Sequence, residues 1–246
     1  MYNTVKLKRG ITMSKHKYLA KKILSLNNYD VDYKPAPLKL KDSIKVSDLF
    51  YEYFFKDYDI YNINDKLYFD KDDELIDYDG ACKSKGYISG NISSIMILTP
   101  TLESTKNIVT ITHEKAHAYN FFNKRRVSEV VPSFMDIMQS IYLDKVAPGI
   151  KKDNINYKIN QAKIAAKIYL KKSRLFYSDK MLENQINYMN DFLKTVLLLR
   201  EYQESSDNVK DILYNNLFTN NKDIFDKNNY IDDNNIIEKI EFIKKI

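Results

Sequence analysis

Two histidines four residues apart, in the segment THEKAHAYNFF (residues 112–122), constrain this chain more than any other feature. The spacing has chemical meaning only on a helix, where about 3.6 residues per turn stack His113 and His117 on one face. From that face both imidazoles can reach a single Zn²⁺ at ~2.0–2.1 Å. Glu114, one position on, flanks the ion rather than binding it, and can take a proton from a zinc-bound water. Ile108, Ile111, Ala118 and Phe122 form a separate apolar stripe facing the core, so the candidate ligands avoid the most apolar face. The chain has 3 histidines, and two of them fall in this HExxH pattern. Chance assembly is a poor explanation at that abundance. The remaining one, His16, stands alone in a basic segment and reads as a surface residue.

A catalytic zinc needs a third protein ligand and one open position. SEVVPSFMDIMQS, residues 128–140, offers the ligand. Glu129, Ser133, Asp136 and Ser140 recur at helical spacing and make one narrow polar stripe. The opposite side carries Phe134, Ile137, Met138 and Ile141. A polar stripe with so few charges suits a face turned toward a buried ion. Glu129 is the candidate ligand. Asp136, two turns along, can accept the free N–H of a ligand histidine and orient it. Pro132 requires the helix to begin nearby or to kink.

The rest of the chain supplies a helical setting. Glycine and proline number only 5 each in 246 residues, too few for an all-β protein with many tight turns. A 44% hydrophobic content supports a buried core, and 20 Tyr and 12 Phe supply its bulk in the absence of Trp. Residues 1–34 read as a basic helical segment and residues 35–246 as a catalytic domain, the two forming one compact unit. IKVSDLFYEYFFKDY has helical spacing, with Val46, Leu49, Phe50, Tyr53 and Phe54 along one side. The acidic DKDDELIDYDG reads as a turn, and the apolar β-branched run Ile95 to Leu98 is the best strand candidate. Thr101 can cap the HExxH helix, with Glu103 in its first turn, and the triplet Lys124-Arg125-Arg126 suits its end. Three further segments, EVVPSFMDIMQSIYLDKV, INQAKIAAKIYLKK and SDKMLENQINYMNDFLKTVLLLREY, are helical in pattern. The expected architecture is mainly α with one small β-sheet.

Composition also narrows compartment and partners. A single cysteine, Cys82, excludes an internal disulfide framework and suits a reducing compartment. The basic start has no apolar run behind it, so it is no secretory signal, and no stretch approaches the ~18 apolar residues that span a bilayer. The expectation is a cytoplasmic protein with no membrane partner. The net charge of +6 comes from scattered pairs rather than a basic surface interleaved with aromatics, so nucleic acid is not an expected partner.

Three segments together resemble the zinc oligopeptidases that include thimet oligopeptidase and oligoendopeptidase F. KSKGYISGNISSIMILTPTLESTKNIVTITHEKAHA is similar to that family's Gly-aromatic stretch, sheet strand and HExxH helix. EVVPSFMD is similar to its second acidic segment, which carries the third-ligand role onto Glu129 and the second acidic position onto Asp136. A weaker likeness runs from KVSDLFYEYF to DYDGACKSKGY, so the resemblance covers roughly residues 40–140. It implies a helical, zincin-like metallopeptidase core. Ala116 stands where the family usually has glycine, no histidine follows His117, and the family's extra helical half has no counterpart. INYMNDFLKTVLLL is similar to the family's Tyr-rich segment, which nominates Tyr188 to stabilise the oxyanion, with Tyr177 the other candidate.

The expected function is a zinc-dependent endopeptidase with one Zn²⁺ held by His113, His117 and Glu129, Glu114 as general base, and a peptide substrate. Ile95, Met96, Ile97 and Leu98 can pair with an extended substrate as an edge strand does. Two alternatives stand beside it. One is an inactive pseudo-peptidase that binds or regulates; the other is a toxin-like HExxH protease acting on one protein.

Overall fold

With few residues to interrupt them, long segments stay helical, and most of the chain does. The computed structural model describes residues 16–89, 91–123, 128–172, 179–219 and 240–246. Residues 16–25 form helix α1, followed by α2 (Leu40–Phe54), a 3₁₀ turn (Asn64–Lys66), β1 (Leu67–Asp72), β2 (Ala81–Ile88) and β3 (Asn91–Pro100). Then come α3 (Lys106–Phe122), α4 (Val130–Leu143), α5 (Ile150–Lys172), α6 (Asp179–Glu204), α7 (Ser206–Phe218) and a 3₁₀ turn (Glu241–Lys244). The fold is mainly α with one small mixed sheet, as the sequence leads one to expect. The basic start (residues 1–15), the basic triplet (residues 124–126) and Tyr177 lie outside the described residues. Among those described, no helix is long and apolar enough to cross a membrane.

The sheet has the order β1-β3-β2, with β1 parallel and β2 antiparallel to β3. Strand β3 is therefore central. Ile95, Met96, Ile97 and Leu98 pair with Leu67, Tyr68, Phe69 and Asp70 on one side, and with Ser84, Lys83, Cys82 and Ala81 on the other. This corrects the substrate-binding role expected of them: both sides of their backbone are taken, leaving nothing for a peptide to pair with. Burial of Ile95, Ile97 and Leu98 explains the apolar run instead. The open edge along the site belongs to β2, which has no second strand partner among the described residues. The segment expected as an acidic turn also starts later, because Asp70, Lys71 and Asp72 complete β1.

Two helix faces differ from the expected ones. On α1, His16 is buried edge-on against Tyr169, with ring centroids 6.4 Å apart, and not on the surface. It shares the inner face of α1 with Leu19, Ala20 and Ile23, which join the main core, and burial lowers its pKa. On α2 the buried face is Ser43, Ser47, Phe50, Tyr51 and Phe54, while Leu49 and Tyr53 are 53% and 58% exposed. The helix is turned toward α3 by polar anchors that a hydrophobicity pattern does not weigh. Ser47 Oγ and Thr112 Oγ1 are 2.9 Å apart, and the Tyr51 hydroxyl donates to the Thr112 carbonyl at 2.9 Å. Beneath these anchors Phe54 packs on Phe134 and Tyr202, tying α2, α4 and α6 into one core.

Candidate metal centre

Helix α3 carries the two histidines, and its rotation is set from behind. Ile108, Ile111 and Ala118 are buried as expected, and Phe122 is partly buried against the core. Lys115, buried on the far side, forms an ion pair with Asp48 and donates to Asn64 at 3.0 Å. The N-terminus differs from expectation. The helix begins at Lys106 with Thr105 at the N-cap position, so Thr101 does not cap it. Glu103 serves elsewhere, accepting from the Leu40 amide at 3.0 Å and pairing with Lys71 at 2.9 Å.

With α3 held this way, three donor atoms converge. His113 Nε2 and His117 Nε2 are 3.2 Å apart, and Glu129 oxygens lie 3.2 Å from His113 Nε2 and 3.4 Å from His117 Nε2. Donors bound at ~2.0–2.1 Å around a tetrahedral zinc stand ~3.3 Å from one another. The two imidazole nitrogens stand at about that spacing, each faced by its own oxygen of the Glu129 carboxylate, and these residues could hold a single metal ion. Among the described residues the Nδ1 atom of His117 is buried without a hydrogen-bond partner, so that ring is held by packing and by the contacts of its Nε2 with His113 and Glu129.

Glu129 is positioned by the start of α4. It occupies the N-cap position, and its backbone amide donates to Asp191 of α6 at 3.0 Å. Pro132 falls in the first turn, where no intrahelical N–H is missed. Two turns along, Asp136 is 2% exposed and its Oδ2 lies 2.8 Å from His113 Nδ1, the orienting contact its place on the stripe predicts. Ser140 is not among the converging donors; its hydroxyl donates to the Ile137 carbonyl at 2.7 Å.

The cluster lies at the bottom of a cleft of about 420 Å³. One wall is the strap before β2 together with Ala81 and Cys82; the other is α5 and α6, with Tyr157, Lys158 and Tyr188. Three of these were not legible as site residues. Gly80 has no side chain because none fits: a Cβ there would stand 2.7 Å from both Glu114 Oε1 and Thr110 Cγ2. Tyr157 donates to Asp79 and fastens the strap to α5, beside a Tyr78 hydroxyl bond to Asp153 at 2.9 Å. Lys158 is buried within hydrogen-bonding reach of Asp136. Its one signal in the sequence is that Asn154 and Lys158 interrupt the apolar inner face of α5 formed by Ile155, Ile159 and Ala162.

Electrostatics follow from this burial. Burial pushes the Glu114 carboxyl above the ordinary carboxylate range, partly offset by His113 and His117, and no hydrogen bond engages it among the described residues. Burial also pushes Glu129 up, but hydrogen bonds from the two imidazoles outweigh it and hold the carboxyl well below the usual range. Burial and the Lys158 ammonium push His113 down; its hydrogen bonds to Asp136 and Glu129 win and raise it to about 9. Tyr188 is pushed up to about 12, chiefly by burial, so its hydroxyl keeps its proton at neutral pH.

No protein-family model, no curated protein and no solved structure matches this chain. The fold and the site together define a mainly helical protein with a two-histidine, one-glutamate candidate metal centre.

Two outcomes follow from the geometry. In the metal-free protein His113 is protonated at pH 7, since its folded value of about 9 exceeds the ordinary 6.5. Stability from that proton is complete below pH 6.5 and is lost as pH rises through 9. A metal ion taking its place on His113 would have to displace the proton, so calorimetric titration with zinc in buffers of different ionisation enthalpy should show at least about one proton released per ion at pH 7. The release from His113 should fade above pH 9, and none at pH 7 would contradict the assignment. Gly80→Ala should destabilise the protein by about 1–3 kcal/mol in denaturant unfolding, because Glu114 and Thr110 must move. The penalty should shrink in a Glu114→Ala background; an equally stable Gly80→Ala variant would refute the close approach.

Proposed function

We infer that this protein is a zinc-dependent peptidase that cleaves peptide bonds internally, with His113, His117 and Glu129 holding the ion and Glu114 as general base. The observation that carries the reading is the convergence of two imidazole nitrogens and one carboxylate, close enough to share an ion, beside the buried Glu114 carboxyl, which no hydrogen bond engages among the described residues, in an open cleft. When bound, zinc lowers the pKa of a coordinated water to about 7 and polarises a carbonyl oxygen. Structural zinc sites are closed by four protein ligands, whereas three leave a position open.

Each remaining task falls to a residue of the chain. Glu114, with its affinity for a proton raised by burial, is suited to accept one from water and return it to the leaving amine. Asp136 keeps the His113 ring in one orientation through Nδ1. The open edge of β2, beginning at Ala81 and Cys82 on the cleft wall, offers main-chain groups to an extended peptide, the role Ile95–Leu98 cannot fill. On the opposite wall the Tyr188 hydroxyl is a protonated donor suited to a developing oxyanion. The motif resemblance to thimet oligopeptidase and oligoendopeptidase F supports the same reaction class.

The test is a mass-spectrometric digest of a mixed peptide pool with wild-type and Glu114→Gln proteins, each with and without chelator. Wild type should cleave and chelator should stop it. Glu114→Gln should lose ~10²–10⁴-fold in rate while keeping its zinc. Cleavage by Glu114→Gln at the wild-type rate, or cleavage indifferent to chelator, would overturn the reading.

A further inference from the structure

Proton transfer and metal binding as assigned above leave one buried cation of the cleft, among the described residues, without a task. Lys158, on the inner face of α5, is 8% exposed. Its Nζ lies 2.5 Å from Asp136 Oδ2 and 3.4 Å from His113 Nδ1, while the same Asp136 oxygen is 2.8 Å from that Nδ1. Asn154 Nδ2 donates to the other Asp136 oxygen at 3.3 Å and lies 3.4 Å from Ser140 Oγ. The carboxylate is thus divided between an imidazole and an ammonium.

A carboxylate that serves a ligand histidine alone makes the imidazole a stronger donor to its metal. Here an ammonium draws on the same oxygen. Charge balance points the same way. Zn²⁺ and Lys158 together neutralise the carboxylates of Glu114, Glu129 and Asp136; without Lys158 the buried cluster keeps an unbalanced negative charge, which attracts a divalent cation.

We propose that Lys158 is a positioning residue that tunes the metal centre through Asp136. It holds the carboxylate against His113 while drawing off its charge. The site then binds zinc less tightly than the same ligands would beside an unshared carboxylate, and the ion keeps more of its positive charge for polarising a substrate. The inference rests on the metal reading above.

A brace and an electrostatic tuner differ in sign. If Lys158 merely steadies Asp136, its loss loosens the site and weakens zinc binding. If it tunes the centre, its loss tightens binding. The experiment is a competition titration of the full chain, stripped of metal, with zinc and a chromophoric chelator at one fixed pH. Lys158→Met should bind zinc about tenfold or more tightly than wild type, within the range that metal-site supporting residues command. Lys158→Arg, which keeps the charge, should stay within about threefold of wild type. Equal or weaker binding by Lys158→Met overturns the proposal. If Lys158→Met has no folded circular-dichroism spectrum, Lys158→Gln, which removes the charge but keeps a hydrogen-bond donor for Asp136, takes its place. It too should bind at least about tenfold more tightly than wild type, and equal or weaker binding again overturns the proposal. A wild-type protein that takes up no zinc defeats the metal reading itself; wild-type uptake with a weakened Lys158→Met variant defeats only the role given to Lys158.

Discussion

The rotation of α3 about its own axis is the constraint on which the rest of the site depends. Turned by two residues, about 200°, the helix would send His113 and His117 toward the apolar core and bring Lys115 toward Glu129. Apolar burial of Ile108, Ile111 and Ala118 sets the rotation coarsely. Polar contacts set it finely: Tyr51 to the Thr112 carbonyl, Ser47 to the Thr112 hydroxyl, and Lys115 to Asp48. Thr112 also bonds back to the Ile108 carbonyl at 2.9 Å, so one side chain links its own helix to α2. These contacts lie behind the histidines, where nothing in the HExxH pattern would direct attention.

From that setting the site assembles through α4, α5 and α6. The backbone of Glu129 is tied to Asp191, and the carboxylate of Asp136 meets a histidine, a lysine and an asparagine in a space closed to water. Charges are buried here at a density that would be costly for isolated ions and is tolerable because each has a partner or, in the case of Glu114, a raised affinity for a proton. Hydrogen bonds to Asp136 and Glu129 favour a proton on His113 in the absence of an ion, at the place where an ion would bring positive charge. Folding and metal binding therefore draw on the same electrostatic arrangement.

Much of the site was legible in the sequence because helical spacing alone carries it. His113, His117 and Glu114 follow from one motif, and Glu129 and Asp136 from one polar stripe whose helix had to start near Pro132. What local pattern could not supply is pairing across the chain. An apolar run from Ile95 to Leu98 signals a strand, and being apolar on both faces it signals a central one; reading it as an edge overlooked that. The face of α2 was misjudged because serine and tyrosine hydroxyls decide it. His16 reads as exposed in a basic segment, yet its place on the inner face of α1 buries it. Gly80 and Lys158 matter only through neighbours more than twenty residues distant, which no window of sequence contains.

Zinc X-ray absorption on the metal-loaded protein tests the convergence most directly, since it reads the donor atoms around the ion itself. Two imidazole nitrogens and a carboxylate oxygen at ~2.0–2.1 Å, in four-coordinate geometry completed by one light atom, are the expected result. A spectrum with sulfur in the coordination sphere, with fewer than two imidazoles, or with no bound zinc after dialysis would contradict it.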